Sequence, residues 1–425
     1  MKEEFLWYLW KFKLFNTNLR LKSGEKITIL RTGTQNSDSG PDFFNALIKI
    51  GETTWAGNVE MHVKSSEWYK HGHHKERTYD NVILHVVYEH DKDVFGKGGE
   101  PLPVLEAKNN FDIGILKRYE DYIKSLRKIP CERDIDKADY FTVLNWLERL
   151  TFERLERKAG EIIRVSKILK YDFYEIFYQK VARYFGLKAN SDAFELLAKS
   201  LPLKILSIHN ENLMQLEALL FGQAGLLSSE YRDSYPVMLL KEYTFLASKY
   251  GLTPVDKHIW RFMRMRPANF PTVRISQFAN LIYRSSGLLH KIFNEENLAN
   301  LKTFFSVKAS DYWEDHYRFD VRAGNKRAKV FGNTSIDILL INAVVPFVFA
   351  YGTIESKPLL KERAAGWLGE IKAENNTYTR LYSSFGINAE SAMHSQALLQ
   401  LKTEYCDRRR CLECAIGHYL LTRRE

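Results

Sequence analysis

The side chains best suited to bind a divalent metal ion lie between residues 42 and 64. Asp42 begins the segment DFFNALIKIG, and Glu60, His62 and Lys64 occupy every second position of the segment that follows it. Side chains alternate along a β-strand, so these three residues would share one face of a strand. Mg²⁺ and Mn²⁺ bind carboxylate oxygens and keep open positions for water and a phosphate group. The pattern therefore predicts a metal site on two neighbouring strands.

The register of the predicted hairpin decides whether these groups meet. If the sequence GET forms a three-residue loop, Ile50 pairs with Thr54 and Asp42 lies opposite His62. Asp42 and His62 would then converge with Glu60. A slip of one residue would separate them, because it moves every side chain to the other face of the sheet.

The elements that must position these residues predict an α+β fold. Residues 2–15 have apolar side chains at helical spacing and predict a first helix. Short segments rich in β-branched and aromatic residues predict strands at 26–33, 42–51, 53–63 and 79–91. From about residue 112 the pattern is helical almost without interruption. We therefore predict a small α/β domain at residues 1–125, followed by a larger all-α domain at residues 126–425.

This order of elements, with Pro41-Asp42 at the start of one strand and Glu60-Met61-His62 on the next, resembles the PD-(D/E)XK nuclease superfamily. The core of that superfamily is a helix and a sheet in the same order, and its second motif is Glu-x-Lys. His62 stands here in place of the lysine. The whole chain is also similar to an uncharacterised bacterial protein family of unknown function.

The superfamily resemblance implies a restriction-endonuclease-like domain and a divalent-metal-dependent nuclease acting on DNA or RNA. Asp42 and Glu60 would hold Mg²⁺ or Mn²⁺, and His62 or Lys64 would position water or stabilise charge on the phosphate. An acid of the first helix often joins the metal site in that superfamily, and the candidates here are Glu3 and Glu4. A neutral histidine is not a permanent cation as lysine is, so the residue at position 62 bears directly on whether catalysis is retained.

Half of the 12 histidines lie between residues 62 and 90, namely His62, His71, His73, His74, His85 and His90. Neutral imidazoles are good ligands for zinc or manganese, so these residues could form a separate transition-metal site. The loop that carries three of them also contains Lys70, Lys75 and Arg77, and a cationic surface for phosphate is the alternative. His85 lies in the apolar run VILHVV, which is typical of a buried core histidine.

Three of the four cysteines, Cys406, Cys411 and Cys414, lie close together near the C-terminus, and the fourth is Cys131. Thiolates suit zinc or an iron–sulfur cluster, and the neighbouring arginines would help to keep them ionised. Either Cys131 or His418, one helical turn beyond Cys414, could supply a fourth ligand. The alternative is that these residues pack on the apolar face of the last helix. A bound metal would act as a structural staple.

Residues 257–294 contain no Asp or Glu and include the cations Lys257, Arg261, Arg264, Arg266, Arg274 and Arg284. Together with a net charge of +10 and interleaved aromatic residues, this predicts a nucleic-acid-binding surface. The alternative is that the arginines pair with acids elsewhere in the fold.

Several classes of protein are excluded or disfavoured. The chain has no P-loop, dinucleotide fingerprint or Gly-x-Ser-x-Gly elbow, which argues against nucleotide-driven enzymes and serine hydrolases. Charged residues interrupt the apolar N-terminus, and we expect no membrane-spanning run and no membrane partner. Four cysteines do not form a disulfide framework, so we expect a cytoplasmic protein.

Three functions fit these patterns. The first is a metal-dependent nuclease, and the second is a non-catalytic nucleic-acid-binding protein built on a degenerate nuclease fold. The third is a scaffold protein whose basic surface has no nucleic-acid partner.

Overall fold

The computed structural model describes residues 1–96, 98–285 and 287–423, and it divides the chain into two compact units. Unit 1 comprises Met1–Leu144 and Lys402–Glu425, and unit 2 comprises Asn145–Leu401. The predicted α+β class is confirmed, with the sheet in the N-terminal region and a larger helical part. This division differs from the predicted domains, which end the first one at residue 125 and place the whole C-terminal segment in the helical one.

The strands are β1 (Ile27–Arg31), β2 (Thr34–Gln35), β3 (Phe43–Ile50), β4 (Thr53–Lys64), β5 (Val82–Glu89), β6 (Val104–Glu106), β7 (His316–Arg318) and β8 (Val321–Arg322). The first helices are α1 (Glu3–Lys11), α2 (Glu67–Lys70), α3 (Ile113–Lys124), α4 (Tyr140–Ile168), α5 (Phe173–Phe185), α6 (Leu187–Ser200), α7 (Leu203–Ile208), α8 (Leu213–Gln223) and α9 (Ser234–Tyr250). The later ones are α10 (Pro271–Arg284), α11 (Leu288–Asn294), α12 (Leu298–Phe304), α13 (Asn333–Leu339), α14 (Val345–Ile354), α15 (Pro358–Glu370), α16 (Thr377–Ser383), α17 (Ala392–Gln400) and α18 (Ala415–Thr422).

The sheet of unit 1 has the strand order β1-β3-β4-β5-β6, and β2 also pairs with β3. The pairs up to β4 are antiparallel, whereas β5 is parallel to both β4 and β6. A parallel pair needs a crossover connection, and here residues 65–81, with α2 and two 3₁₀ turns, connect β4 to β5. Helix α1 packs on β4 and β5 through an apolar face that includes Phe5, Leu9 and Trp10.

The β3–β4 hairpin differs from the predicted register. Ile50 pairs with Thr53, so the turn contains two residues rather than three. A bulge between Phe43 and Ala46, where Asn45 has a φ of 56°, shifts the register again. One extra residue in one strand displaces everything beyond it, and Asp42 therefore lies beside Glu60 instead of opposite His62.

The C-terminal segment joins unit 1 through specific contacts. Helix α18 packs against α3, and the Arg118 guanidinium donates a hydrogen bond of 2.7 Å to the carbonyl oxygen of Leu421. The Tyr8 hydroxyl lies 3.0 Å from His418 Nδ1. These contacts bring the three C-terminal cysteines into the same unit as Cys131.

Unit 2 is helical around one large apolar core, apart from the two-stranded ribbon β7–β8. The continuous helix Asn333–Ile354 is 22 residues long and is apolar enough to cross a membrane by length and composition. Our expectation that no run reaches that length was wrong for this segment. However, 72% of its most apolar 18-residue stretch is buried inside the protein, as in the core helix of a soluble domain.

A buried carboxyl group makes the stability of unit 2 depend on pH. Glu217 on α8 is only 2% exposed, and the Ser276 hydroxyl on α10 donates a hydrogen bond of 2.6 Å to it. Burial raises the pKa of Glu217 from 4.5 to about 7, although the hydrogen bond from Ser276 and the nearby hydroxyl groups of Ser310 and Tyr235 oppose the shift. A raised carboxyl pKa contributes stability that is complete below pH 4.5 and is lost as the pH rises through 7.

Glu217→Gln removes this titration and retains an oxygen that accepts the Ser276 bond. We expect the variant to match the wild type near pH 5 and to be more stable at pH 8 by roughly 2 to 3 kcal/mol. Urea unfolding at both pH values measures the difference. Glu211 is exposed, so Glu211→Gln is the control and should leave the pH dependence of stability unchanged. An identical loss of stability between pH 5 and pH 8 in Glu217→Gln would exclude this carboxyl as its source.

Candidate metal centre

Asp42 and Glu60 meet across strands β3 and β4. The backbone N–H of Asp42 donates to Glu60 Oε2 at 3.2 Å, and the backbone N–H of Met61 donates to Asp42 Oδ2 at 2.9 Å. These reciprocal bonds fix both carboxyl groups on the strand backbones. Glu60 is only 5% exposed, so it is held inside the unit rather than on a solvated sheet face.

A third carboxyl group joins them from α1. Burial and, secondly, the charge of Glu60 raise the pKa of Asp42 to about 7, against the hydrogen bond from the Met61 N–H and the nearby Trp7 indole. Burial also raises the pKa of Glu60 to about 8, with a contribution from Glu3. The pKa of Glu3 is itself raised, first by burial and then by Asp42. Clustered carboxyl groups with raised pKa values are typical of functional sites, since a bound cation would relieve their repulsion.

Three imidazoles extend the cluster on the other side of Glu60. His73 Nε2 lies 3.2 Å and His62 Nε2 lies 3.6 Å from Glu60 Oε1. His71 Nδ1 lies 3.1 Å from His62 Nε2, and one nitrogen from each of the three rings falls within 4.8 Å of the others. Ligand atoms about 2.0 to 2.2 Å from one ion lie roughly 3 to 3.6 Å apart, so these separations suit a single metal ion.

His85 supports the cluster from behind. Its Nε2 lies 2.8 Å from His62 Nδ1 in the buried interior, an arrangement that orients a metal-ligating imidazole through its second nitrogen. Burial lowers the pKa of His62 to about 2, with further contributions from the other three histidines, and lowers that of His85 to about 3. Both rings are therefore neutral at physiological pH. The prediction of a buried core histidine describes the location of His85 correctly, but its contact with His62 was not foreseen.

Aromatic side chains complete the wall around the imidazoles. The Tyr79 ring stacks on His73 with their centroids 3.9 Å apart, and Trp68 packs edge-on against the same ring. These contacts hold the 65–81 crossover segment against β4. His71 is the exposed member of the imidazole group, and it is therefore the one that faces incoming molecules.

The other predicted residues of this region lie in different places. Lys64 is exposed at the end of β4, and Glu4 lines a separate groove in which it pairs with Lys2 at 3.8 Å. His74 packs on Tyr69 and His90 pairs with Asp93. The acid of the first helix that joins the site is Glu3. The predictions of a separate metal site or a cationic surface for the loop of His71 and His73 did not place these rings beside Glu60 and His62. Their place in a crossover loop between parallel strands was a usable signal.

A groove of about 550 Å³ runs beside α1 in unit 1. Its lining contains five cations against two carboxylates, and the cations are Lys2, Lys11, Arg408, Arg409 and Arg410. Its aromatic residues are Trp7, Tyr8, Phe12 and Tyr119. Trp7 also lies close enough to Asp42 to lower its pKa, so the groove adjoins the carboxylate cluster.

All four cysteines converge in unit 1 as buried thiols. Cys131 lies close enough to Cys406, Cys411 and Cys414 for each of them to raise its pKa, although burial is the main cause of the increase. Burial raises the pKa of Cys411 and of Cys414 to about 12, which outweighs the lowering effect of Arg409 on Cys411. For the free thiols, burial therefore outweighs the neighbouring arginine.

His418, the alternative fourth ligand, is engaged elsewhere. Its ring packs on Phe12 at a centroid distance of 4.2 Å, and its Nδ1 faces the Tyr8 hydroxyl. Of the two predicted partners for the C-terminal cysteines, the structure brings Cys131 to them.

The predicted nucleic-acid-binding cations lie in unit 2 and fall into two groups. Arg274 is 4% exposed and donates hydrogen bonds to Asn269, Gln277 and Ser335, with its guanidinium over the Phe331 ring. It is a structural residue, and its assignment to a binding surface was wrong. The remaining five are exposed and, within the described part of the chain, form no ion pair; they are Lys257, Arg261, Arg264, Arg266 and Arg284.

The fold and the site define a two-unit α+β protein whose smaller unit carries a carboxylate–imidazole cluster on a mixed sheet. Residues 3–377 match the family described as Protein of unknown function (DUF2851), and the chain belongs to that family. The matched range includes Asp42, Glu60 and Cys131, whereas the three C-terminal cysteines lie beyond it. Neither the curated proteins nor the solved structures contain a significant match to the chain.

Proposed function

We propose that this protein is a divalent-metal-dependent phosphodiesterase that cleaves DNA or RNA. The observation that carries the proposal is the convergence of Asp42, Glu60 and Glu3 with the imidazoles of His62 and His73. The order of a helix, an antiparallel hairpin, a crossover and a parallel strand supports it, because it resembles the core of the PD-(D/E)XK nucleases.

The roles of the residues follow from their chemistry. Asp42, Glu60 and the imidazole nitrogens would hold the ion, while Glu3 on α1 would accept a hydrogen bond from water at its edge. A bound divalent ion supplies a water of lowered pKa and a positive charge beside the scissile phosphate. His62 is neutral and buried, so it would act as a ligand rather than as the cation that the superfamily lysine provides. The exposed His71 would meet the substrate first.

The donor set favours manganese over magnesium. Mg²⁺ prefers oxygen ligands in a near-ideal octahedron and gives up its water reluctantly, whereas Mn²⁺ accepts imidazole nitrogen as well as carboxylate oxygen. A site in which imidazole nitrogens lie 3.2 and 3.6 Å from a carboxylate oxygen combines both types. We therefore expect Mn²⁺ to support a higher rate than Mg²⁺ at equal concentration.

The affinity for Mn²⁺ should rise steeply with pH. Protons compete with the ion for Asp42 and Glu60, whose pKa values are raised to about 7 and about 8, whereas the lowered pKa of His62 keeps its imidazole neutral. From pH 6 to pH 8 we expect the dissociation constant to fall at least about tenfold, because binding must release these protons. Calorimetric titration at both pH values measures the change.

Asp42→Asn lacks one of the titrating ligands, and its weaker affinity should vary less with pH. A wild-type dissociation constant that is the same at pH 6 and pH 8 would mean that the ion does not bind at these carboxyl groups.

The direct test of the function is cleavage of labelled single- and double-stranded DNA and RNA with Mn²⁺, Mg²⁺ or EDTA. Cleavage that requires the metal supports the proposal, and absence of cleavage with every metal and substrate contradicts it.

The alternative function is a non-catalytic nucleic-acid-binding protein. It is favoured by the presence of His62 at the position where the nuclease motif has a lysine. It predicts salt-sensitive binding without cleavage. Five exposed cations that form no ion pair with any residue the structure describes count against the scaffold alternative, which expected arginines matched by acids.

A further inference from the structure

The four cysteines are the only ones in 425 residues, and all four are buried in unit 1. The 3₁₀ helices Ile135–Lys137 and Cys411–Glu413, which follow Cys131 and begin at Cys411, both pack against α18 and so bring segments far apart in the chain together. Cys131 lies in a turn just before the 3₁₀ helix Ile135–Lys137, which packs against α18. The Arg409 guanidinium donates a hydrogen bond of 2.5 Å to the carbonyl oxygen of Ser125, which ties the two segments together beside the thiols. Chance packing of four small apolar side chains would not require every cysteine of the protein to meet at one place.

The backbone around Cys414 is arranged to support a negatively charged sulfur. The backbone N–H groups of Ile416 and Gly417 act to lower the pKa of Cys414 against the stronger effect of burial, and N–H groups near a cysteine sulfur stabilise metal-bound thiolates. Gly417 must be glycine, because a Cβ there would lie 2.2 Å from the carbonyl oxygen of Cys411. The chain is therefore drawn tightly around two of the four thiols.

We propose that Cys131, Cys406, Cys411 and Cys414 bind a thiophilic metal centre, either one zinc ion or an iron–sulfur cluster. The centre would bridge the Cys131 turn and the C-terminal segment. It would also fix the loop between Cys406 and Cys411 in place along the groove beside α1. That loop contains Arg408, Arg409 and Arg410.

The local structure explains why such a bridge is needed. The segment consists of a π-helical turn at Leu401–Cys406, a left-handed Arg409 with a φ of 57°, and a three-residue 3₁₀ helix at Cys411–Glu413. Short irregular elements have little stability of their own, and a metal centre contributes its binding free energy to folding. Arginines held in fixed positions bind a phosphate backbone better than mobile ones, because less conformational entropy is lost on binding. The consequence for nucleic-acid binding rests on the proposed function, whereas the centre itself does not.

Metal content is the first measurement, and it needs no activity. We expect the full-length protein, purified without oxygen, to contain about one zinc per chain, or about two or four irons with inorganic sulfide and visible absorption. These two results separate zinc from an iron–sulfur cluster. Wild-type protein that contains neither, and that takes up neither after reconstitution, would overturn the proposal.

Single substitutions then identify the ligands. Cys131→Ser and Cys414→Ser should each lower the metal content at least about tenfold. His418→Gln is the matched control and should retain the metal, because His418 contacts Tyr8 and Phe12. Loss of metal in His418→Gln with retention in Cys131→Ser would overturn the assignment of Cys131 as the fourth ligand. If a cysteine variant folds poorly, the metal content of the wild-type protein still tests the proposal by itself.

The role of the arginine loop is tested separately. The double variant Arg408→Ala, Arg410→Ala should retain the metal. It should bind single-stranded DNA roughly tenfold more weakly at low salt, because each substitution removes a cation of the groove. Retained metal with unchanged DNA binding would refute the groove as a binding surface while leaving the metal centre intact. Normal DNA binding by a metal-free wild-type protein would show that the centre does not position the loop.

Discussion

Replacing Asp42 by asparagine or Glu60 by glutamine is expected to lower the rate of metal-dependent cleavage by roughly 10³-fold or more. A metal ion contributes several kcal/mol to stabilisation of the transition state, and each 1.36 kcal/mol corresponds to a factor of ten in rate. Both substitutions remove a charge that the ion needs and keep an oxygen for the existing backbone hydrogen bond from Met61 or Asp42. The loss should therefore be catalytic rather than structural.

The measurement is the initial cleavage rate at saturating Mn²⁺, with circular dichroism and thermal unfolding recorded for each variant. Glu52→Gln is the matched control, since Glu52 lies exposed in the turn of the same hairpin and pairs only with Lys49 at 2.9 Å among the ion pairs described. It should cleave at the wild-type rate. Full activity in folded Asp42→Asn and Glu60→Gln would place the chemistry elsewhere in the protein.

A carboxylate–imidazole site also predicts graded effects around these two residues. Glu60 contacts both groups of ligands, since it bonds to the Asp42 backbone and lies within 3.2 Å of His73. Its replacement should therefore weaken Mn²⁺ binding more than the replacement of Asp42 does. The order of the two affinities, measured by the same titration, distinguishes one shared site from two separate ones.

The second large effect is expected at the basic segment of unit 2. Simultaneous replacement of Arg261, Arg264 and Arg266 by alanine should weaken nucleic-acid binding by about 10²- to 10³-fold at low salt. It should also reduce the slope of log K against log salt by roughly 2 to 3, because each neutralised phosphate contributes about 0.7 to 0.9. The three side chains are exposed and form no ion pair within the described residues, so their charge is available to a polyanion.

Binding is measured by fluorescence anisotropy with labelled single- and double-stranded oligonucleotides across a salt series. Replacement of three other exposed lysines of unit 2, Lys167, Lys204 and Lys241, by alanine removes the same charge and serves as the control. An equal loss of slope in both variants would mean that net charge alone, and not this segment, determines binding. Arg274 is unsuitable for the test, because its guanidinium is buried among its hydrogen-bond partners.

The amino-acid sequence alone determined the fold class and the types of residue in the candidate site. Strand segments with β-branched residues and a turn signal identify the β3–β4 hairpin, because these are local properties of the chain. The same reasoning identified Asp42 and Glu60 as a pair of acids on neighbouring strands. It also identified the cysteine group, since three thiols within nine residues are conspicuous without any knowledge of the fold.

Only the tertiary structure decided which groups meet. The bulge at Asn45 changed the register and brought Asp42 to Glu60, and such a bulge depends on how two strands pair rather than on local propensity. The crossover between β4 and β5 placed His71 and His73 beside Glu60, and long-range packing returned the C-terminal segment to Cys131. Burial, which raises the pKa of Glu60 and keeps His62 neutral, is a property of the packed protein, because desolvation requires the surrounding side chains.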